Sequence, residues 1–242
     1  MEDDVNEPFL HYKDNEAHED DDIEIAHNIR KGFIVKVYGI IIFQLIITSI
    51  VVFLALKINS FKLFIINHFW LNYLSLFISL ACVLCPICFQ GIYKKVPTNY
   101  IILFVFTLSE SWVVAYQTCL YTPRSVMIAL IMTIITVLTL TIYAWTTKKD
   151  FTILGGTLFV SLVLLIFMSF ILLFFPVRIG YLIYLVISLI LFSIYLIYDT
   201  QLVIGGRRYS FSEDDYILAA MNIYLDIIIL FLKILALTGK KE

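Results

Sequence analysis

Long apolar runs separated by short polar breaks fill the chain from about residue 29 onward. Seven runs stand out, near 33–56, 69–92, 98–120, 125–146, 151–175, 180–204 and 216–238. Each meets the length a bilayer demands, since about 20 helical residues at ~1.5 Å rise cross a hydrocarbon core of ~30 Å. All are too long for strands, and no ten-residue alternation of apolar and polar positions suggests a barrel. The pattern predicts an all-α polytopic membrane protein, a bundle of seven transmembrane helices. The breaks carry matching chemistry. Gly205-Gly206 can end the sixth helix, because glycine accepts the positive φ of a helix terminus. Ser212 followed by Glu213, Asp214 and Asp215 reads as an N-cap with acids that complement the positive end of the seventh helix. Pro86 and Pro97 mark kinks or ends around the second segment.

Composition supports the bilayer as solvent. Hydrophobic residues make up 61% of the 242 and charged ones 15%, with a mean hydropathy of +0.94. A soluble domain is about 45–50% apolar and roughly 25% charged, so this chain lacks the polar surface to cover a water-exposed fold. The net charge of −2 averages two unlike regions, because eleven of the nineteen acids fall within residues 1–25. That stretch cannot bury enough apolar surface to fold, and residues 1–28 are expected to form a disordered acidic tail ahead of a membrane domain at 29–242. No cleavable signal peptide is visible in so acidic a start. The basic residues lie in short loops, a pattern of membrane topology and not of nucleic-acid binding. Placing the N-terminus in the cytosol gives that side Arg30, Lys31, Lys36, Lys94, Lys95, Lys148, Lys149, Arg207 and Arg208. The other side then receives Lys57, Lys62, Arg124 and Arg178, which the positive-inside tendency favours. Lys240 and Lys241 fall on the far side if the last segment spans and on the cytosolic side if it is re-entrant.

The chemistry rests on acids stranded in apolar helices: Glu110, Asp199 and Asp226. An ionised acid at membrane depth costs at least a few kcal/mol, so it faces the bundle interior and finds a partner. Asp199 and Asp226 lie on consecutive antiparallel helices and differ in depth by less than about two helical turns. Two facing carboxyls can share a proton, bind a cation or switch between these states with pH. The plain alternative is a structural hydrogen bond between helices. Glu110 either adds a third carboxylate to the same pathway or pairs with Ser109, Ser111 or a neighbouring helix. Asn222, four residues before Asp226, shares its helix face and can orient that carboxyl, contact a ligand or simply bond a second helix. Cys82, Cys85 and Cys88 have metal-like spacing, but three thiols in an apolar helix end suit buried or palmitoylated cysteines better than zinc.

Longer motifs carry a resemblance. Tyr198-Asp199-Thr200-Gln201-Leu202, Arg207-Arg208-Tyr209-Ser210 and the stretch from Asn222 to Ile228 resemble the lifeguard branch of the transmembrane BAX-inhibitor-motif family. Upstream, the stretch from Arg30 to Leu45, Val96-Pro97-Thr98-Asn99, Phe106-Thr107-Leu108 and the stretch from Lys148 to Thr152 extend the likeness over about residues 28–238. The resemblance implies a Bax-inhibitor-like seven-helix fold in the endoplasmic reticulum, Golgi or another endomembrane. It also implies a pH-sensitive Ca²⁺ leak that modulates Ca²⁺ stores, suppression of apoptosis, and a proton-sensing di-aspartyl pair at Asp199 and Asp226. The partners implied are the bilayer, Ca²⁺, protons and cell-death regulators or receptors. Ca²⁺ is the permeant ion, and no cofactor or enzyme activity is expected. Bacterial members of the family pair an aspartate with an arginine of the second helix, whereas residues 69–92 here contain neither Arg nor Lys. Two other readings compete. One is a pore-free scaffold that regulates death or receptor proteins. The other is an intramembrane aspartyl protease, against which stands Ile223-Tyr224-Leu225 where such enzymes place a Gly-x-Gly element.

Overall fold

A computed structural model of the chain describes residues 7–88, 91 and 94–242, with side chains described from residue 24 onward except at 85–88. Eight α-helices account for nearly all of these: α1 (Glu7–Lys57), α2 (Asn59–Asn67), α3 (Phe69–Cys88), α4 (Thr98–Cys119), α5 (Pro123–Thr146), α6 (Gly155–Phe174), α7 (Arg178–Ile204) and α8 (Tyr216–Thr238). Short 3-10 turns at Thr152–Leu154 and Glu213–Asp215 lead into α6 and α8. Among the described residues there is no named strand, only an isolated bridge between Tyr121 and Lys241. The backbone of the acidic tail continues α1 from Glu7. Residues 1–6 and the side chains of 7–23, on which the expected disorder rests, lie outside the described ones.

Among the described residues six helices are long and apolar enough to cross a membrane, and the bent pair α2 and α3 passes the same test together, as a broken span or a re-entrant loop. The protein is thus a multi-pass, all-α membrane bundle. The bend corrects the sequence reading, which left 57–68 as a connection. Nine residues from Asn59 form a helix that meets α3 at 74°. It is too short to span, and it is held by burial of Ile65 and by edge-on contacts of Phe61 and Phe64 with Trp112, each at 6.2 Å. Aromatic pairs of this kind add to the gain from area burial.

The centre of the bundle is α8, which touches α7, α1, α5 and α4. Its most apolar stretch is 61% buried inside the protein, against 11% for that of α6. On α6 the residues Phe159, Leu164, Phe167 and Phe170 point outward, where acyl chains solvate them. Such outward faces cost nothing in a bilayer, so they give no drive to pack, and contact between helices depends on fit and interior polar groups. Small residues supply the fit at the start of α8, where Ala219 and Ala220 are fully buried.

The end of α8 answers where the C-terminal lysines go. After Thr238 the chain pairs with the α4–α5 turn, Thr122 N donating to Lys240 O at 3.0 Å and Glu242 N to Leu120 O at 3.1 Å. Lys62 forms an ion pair with Glu242. These partners lie at the bundle end opposite Arg30, so α8 runs the full length of the bundle and does not turn back.

At the N-terminal end, one side chain ties α1 to the terminus of α7. Arg30 donates from Nε to Ile204 O at 3.2 Å and from Nη1 to Phe211 O at 2.7 Å, and Nη2 reaches Leu202 O. The last carbonyls of a helix lack partners within it, and a guanidinium satisfies several at once. Gly205 lets the chain turn sharply there, with φ +75, and a Cβ on it would lie 2.7 Å from Arg30 Nε. The glycine terminus expected from sequence is therefore present. The Ser212 cap is not, because its hydroxyl makes no capping bond and Ser212 O instead accepts from Asp215 N at 3.0 Å.

The loop before α6 is fastened to the loop after α7. Phe151 N donates to Gln201 Oε1 at 2.8 Å, and Gln201 Nε2 donates to Lys149 O at 3.0 Å. Asp150 accepts from Thr152 Oγ1 at 2.6 Å, Thr152 N at 2.9 Å and Arg208 N at 3.2 Å. The Thr152 hydroxyl above all, helped by these N–H groups and by Arg207, holds the Asp150 carboxyl below the usual aspartate range.

Two predictions follow from these termini. Gly205→Ala should destabilise the protein by about 3 kcal/mol and Gly206→Ala by about 1 kcal/mol, because both need positive φ but only the first meets Arg30. Thermal unfolding in detergent reads the difference, and equal losses would remove Arg30 from the explanation. For Asp150 the stabilising bond is fully present above the ordinary aspartate pKa and is lost as pH falls through the depressed one. Amide exchange in 147–152 and 207–209 should therefore quicken only in strong acid, and Asp150→Asn should quicken it at every pH.

Candidate functional site

Asp199 lies five residues before the end of α7, and Asp226 lies midway along α8. They are 4% and 5% exposed, respectively. Their carboxyls meet across the α7–α8 contact as hydrogen-bonding neighbours. No hydroxyl, amide or cation of a described residue donates to Asp226 Oδ2. The ion pairs among described residues are Arg30–Glu213, Lys62–Glu242 and Lys94–Asp215, and none involves this pair. A carboxylate only accepts hydrogen bonds, so a bond between two carboxyls requires one proton between them. The arrangement can hold a proton, release it, and present two negative charges to a cation.

Local sequence explains why the carboxyls face inward. In α7, Leu196, Val203, Thr200 and Asp199 are buried, while Ile183, Ile187 and Ile190 look outward. In α8, Ile223 and Leu230 lie one turn to either side of Asp226 and are 2% exposed or less. The aspartates thus occupy the core-facing stripe of each helix, where an isoleucine or leucine would otherwise stand. Tyr195, one turn before Asp199, is close enough to feel both charges, and Tyr198 adjoins Asp199.

The other residues singled out from sequence lie apart. Glu110 accepts a hydrogen bond from Ser79 of the neighbouring helix α3. Asn222 is half-buried, and its side chain hydrogen-bonds to no described residue. Cys82 is partly buried, and the side chains of Cys85 and Cys88 lie outside the described residues. Among the described residues no three His, Cys, Asp or Glu side chains converge as a metal site.

Sequence reasoning missed two features. One is a polar network between α1, α4 and α8. Gln44 Nε2 donates to Thr107 Oγ1 at 3.0 Å, and the Thr48 hydroxyl bonds Ser111 Oγ at 3.0 Å and Tyr224 OH at 2.7 Å. Its signal was available: Gln44 and Thr48 on one helix and Thr107 and Ser111 on another are each four apart, hence stacked on one face. The other is Lys233, a cation within the last apolar helix, whose Nζ donates to Tyr184 OH at 3.0 Å. Attention to acids alone passed over it. A groove of about 680 Å³ separates α1 from α5 and is lined by Thr48, Val52, Leu130 and, beside Asp226, Ile227 and Ile228.

Comparison with known proteins bears on the family. The family model described as "Inhibitor of apoptosis-promoting Bax1" matches residues 30–242. The chain is 33% identical over 218 residues to Protein lifeguard 3 of Mus musculus, covering 88% of this chain and 71% of that protein. It is 34% identical over 218 residues to Protein lifeguard 3 of Homo sapiens, covering 88% and 70%. Against Protein LIFEGUARD 4 of Arabidopsis thaliana it is 38% identical over 224 residues, covering 88% and 87%. With a matching family model over most of its length and lifeguard relatives at this identity, the chain belongs to the Bax-inhibitor family of membrane proteins, in its lifeguard branch.

Proposed function

We propose that this protein is a proton-sensitive Ca²⁺ leak pathway of an intracellular membrane, which lowers stored Ca²⁺ and thereby suppresses apoptosis. The observation that carries the reading is the buried contact of Asp199 with Asp226 without a cationic partner. With one proton between them, the carboxyls draw α7 and α8 together. Loss of that proton leaves two adjacent negative charges, which repel each other in a medium that screens them poorly. The helices then separate locally or accept a cation. Two carboxylates offer four oxygens at most, whereas Ca²⁺ takes six to eight. The pair therefore suits brief occupation by a passing ion better than storage.

The surroundings support a gate at the N-terminal end. Arg30 pins the last carbonyls of α7, and Gln201 fastens the loop before α6, so separation can begin next to a braced terminus. The Lys and Arg distribution supports a cytosolic position for this end, where a change in proton concentration can reach the pair.

The test is Ca²⁺ efflux from proteoliposomes over a pH series. The wild-type protein should show a transition of one shared proton, spanning about two pH units. Asp199→Asn combined with Asp226→Asn, isosteric changes that keep hydrogen bonding, should flatten that dependence. Unchanged efflux and pH response in the double variant would refute the gate, and absence of efflux from the wild type would favour a pore-free scaffold.

A further inference from the structure

At the bundle end opposite Arg30, a cavity of about 220 Å³ opens among α4, α7, α8 and the C-terminal segment. Its polar lining is Gln117, Tyr121, Tyr181, Lys233 and Lys241, and no Asp or Glu lines it. Two lysines, two tyrosines and a glutamine thus line it from four parts of the chain, and Lys233 also borders a neighbouring cavity of about 260 Å³ that contains its partner Tyr184. Lys241 makes no hydrogen bond or ion pair with its side chain among the described residues, and the adjacent Glu242 is engaged by Lys62.

Lys233 is the feature that needs explaining. Intramembrane cations are rare and normally paired. Here Nζ is 3.0 Å from Tyr184 OH and 4.4 Å from the centre of the Tyr184 ring, with no carboxylate in ion-pair range. An ammonium has three N–H donors, and one hydroxyl takes one of them. The residue stands five positions before the end of α8, only ~7–8 Å along the helix from its terminus.

We propose that this cavity is an anion site for a phosphate group, held by Lys233 and Lys241 with Tyr121, Tyr181 and Gln117 as further donors. Phosphate suits the donor set because its oxygens accept from several directions and its charge of one to two matches the two ammonium groups. The α4–α5 turn and the C-terminal segment are already joined by Thr122 N to Lys240 O. A phosphate bound here ties that joint to α7 and α8. The source is either the headgroup of an anionic lipid or free phosphate. The proposal does not depend on Ca²⁺ conduction.

Two probes test it on the full-length protein in detergent micelles. Native mass spectrometry compares retention of phosphatidic acid with that of phosphatidylcholine, and ³¹P NMR follows titration with inorganic phosphate. The wild-type protein should retain phosphatidic acid preferentially, bind inorganic phosphate, or both. Retention of lipid alone identifies the headgroup as the source, and binding of free phosphate alone identifies the soluble ion. Lys233→Met with Lys241→Ala should weaken the binding by about tenfold or more, while Lys57→Met, at the same end but outside the cavity, should not. If Lys233→Met fails to fold, Lys241→Ala and Tyr181→Phe each must still weaken it. Absence of both bindings in the wild type, or binding undiminished in the cavity variants, would overturn the site.

Discussion

Two carboxyl groups in contact inside an apolar bundle can stay together only through a proton or a cation, and Asp199 with Asp226 imposes that condition on α7 and α8. A leucine pair in the same place would pack without reference to pH. In the function proposed above, the pair makes α8 sensitive to a single proton. Because α8 also touches α1, α4 and α5, a change at this contact reaches most of the bundle. Tyr224, two residues away, bonds Thr48 of α1, which in turn bonds Ser111 of α4.

The cations divide the remaining work by position. Bacterial members of the family resembled here use a basic residue in the second helix, and this chain has none at 69–92. Arg30 does not take that place: it satisfies carbonyls at the terminus of α7 and meets Glu213 at 3.9 Å. Lys233 stands two turns beyond Asp226 on α8 and bonds Tyr184. Among the described residues the aspartates are thus left without a fixed counterion, and an interior charge lacking one is where a mobile proton or ion has the most effect.

Much of this was legible in the sequence because membranes simplify the code. A bilayer demands about 20 apolar residues per crossing, so the spans emerge from hydropathy alone. An acid inside such a run is conspicuous, and Asp199 and Asp226 were found that way. The misses have physical causes. The short helix Asn59–Asn67 carries no length signal, and its bend is fixed by tertiary contact with Trp112. Ser212 has the right neighbours for a cap, but a backbone bond from Asp215 took its place. The Thr48, Ser111 and Tyr224 hydroxyls are common in apolar helices, where they usually bond their own backbone, so their meeting depends on helix packing. For Glu110 the sequence left a third-carboxylate role and a bond to a neighbour both open, and only the fold names Ser79 as a partner.

The central claim is that Asp199 and Asp226 share a proton when the bundle is closed. Infrared difference spectroscopy on protein carrying ¹³C-labelled aspartate, across the transition in Ca²⁺ efflux, addresses it directly. The account predicts a protonated-carboxyl C=O band in the closed state that disappears on opening, and it predicts that Asp199→Asn or Asp226→Asn alone alters or removes that band. Only carboxylate bands in the closed state, or a protonated band indifferent to both substitutions, would contradict it.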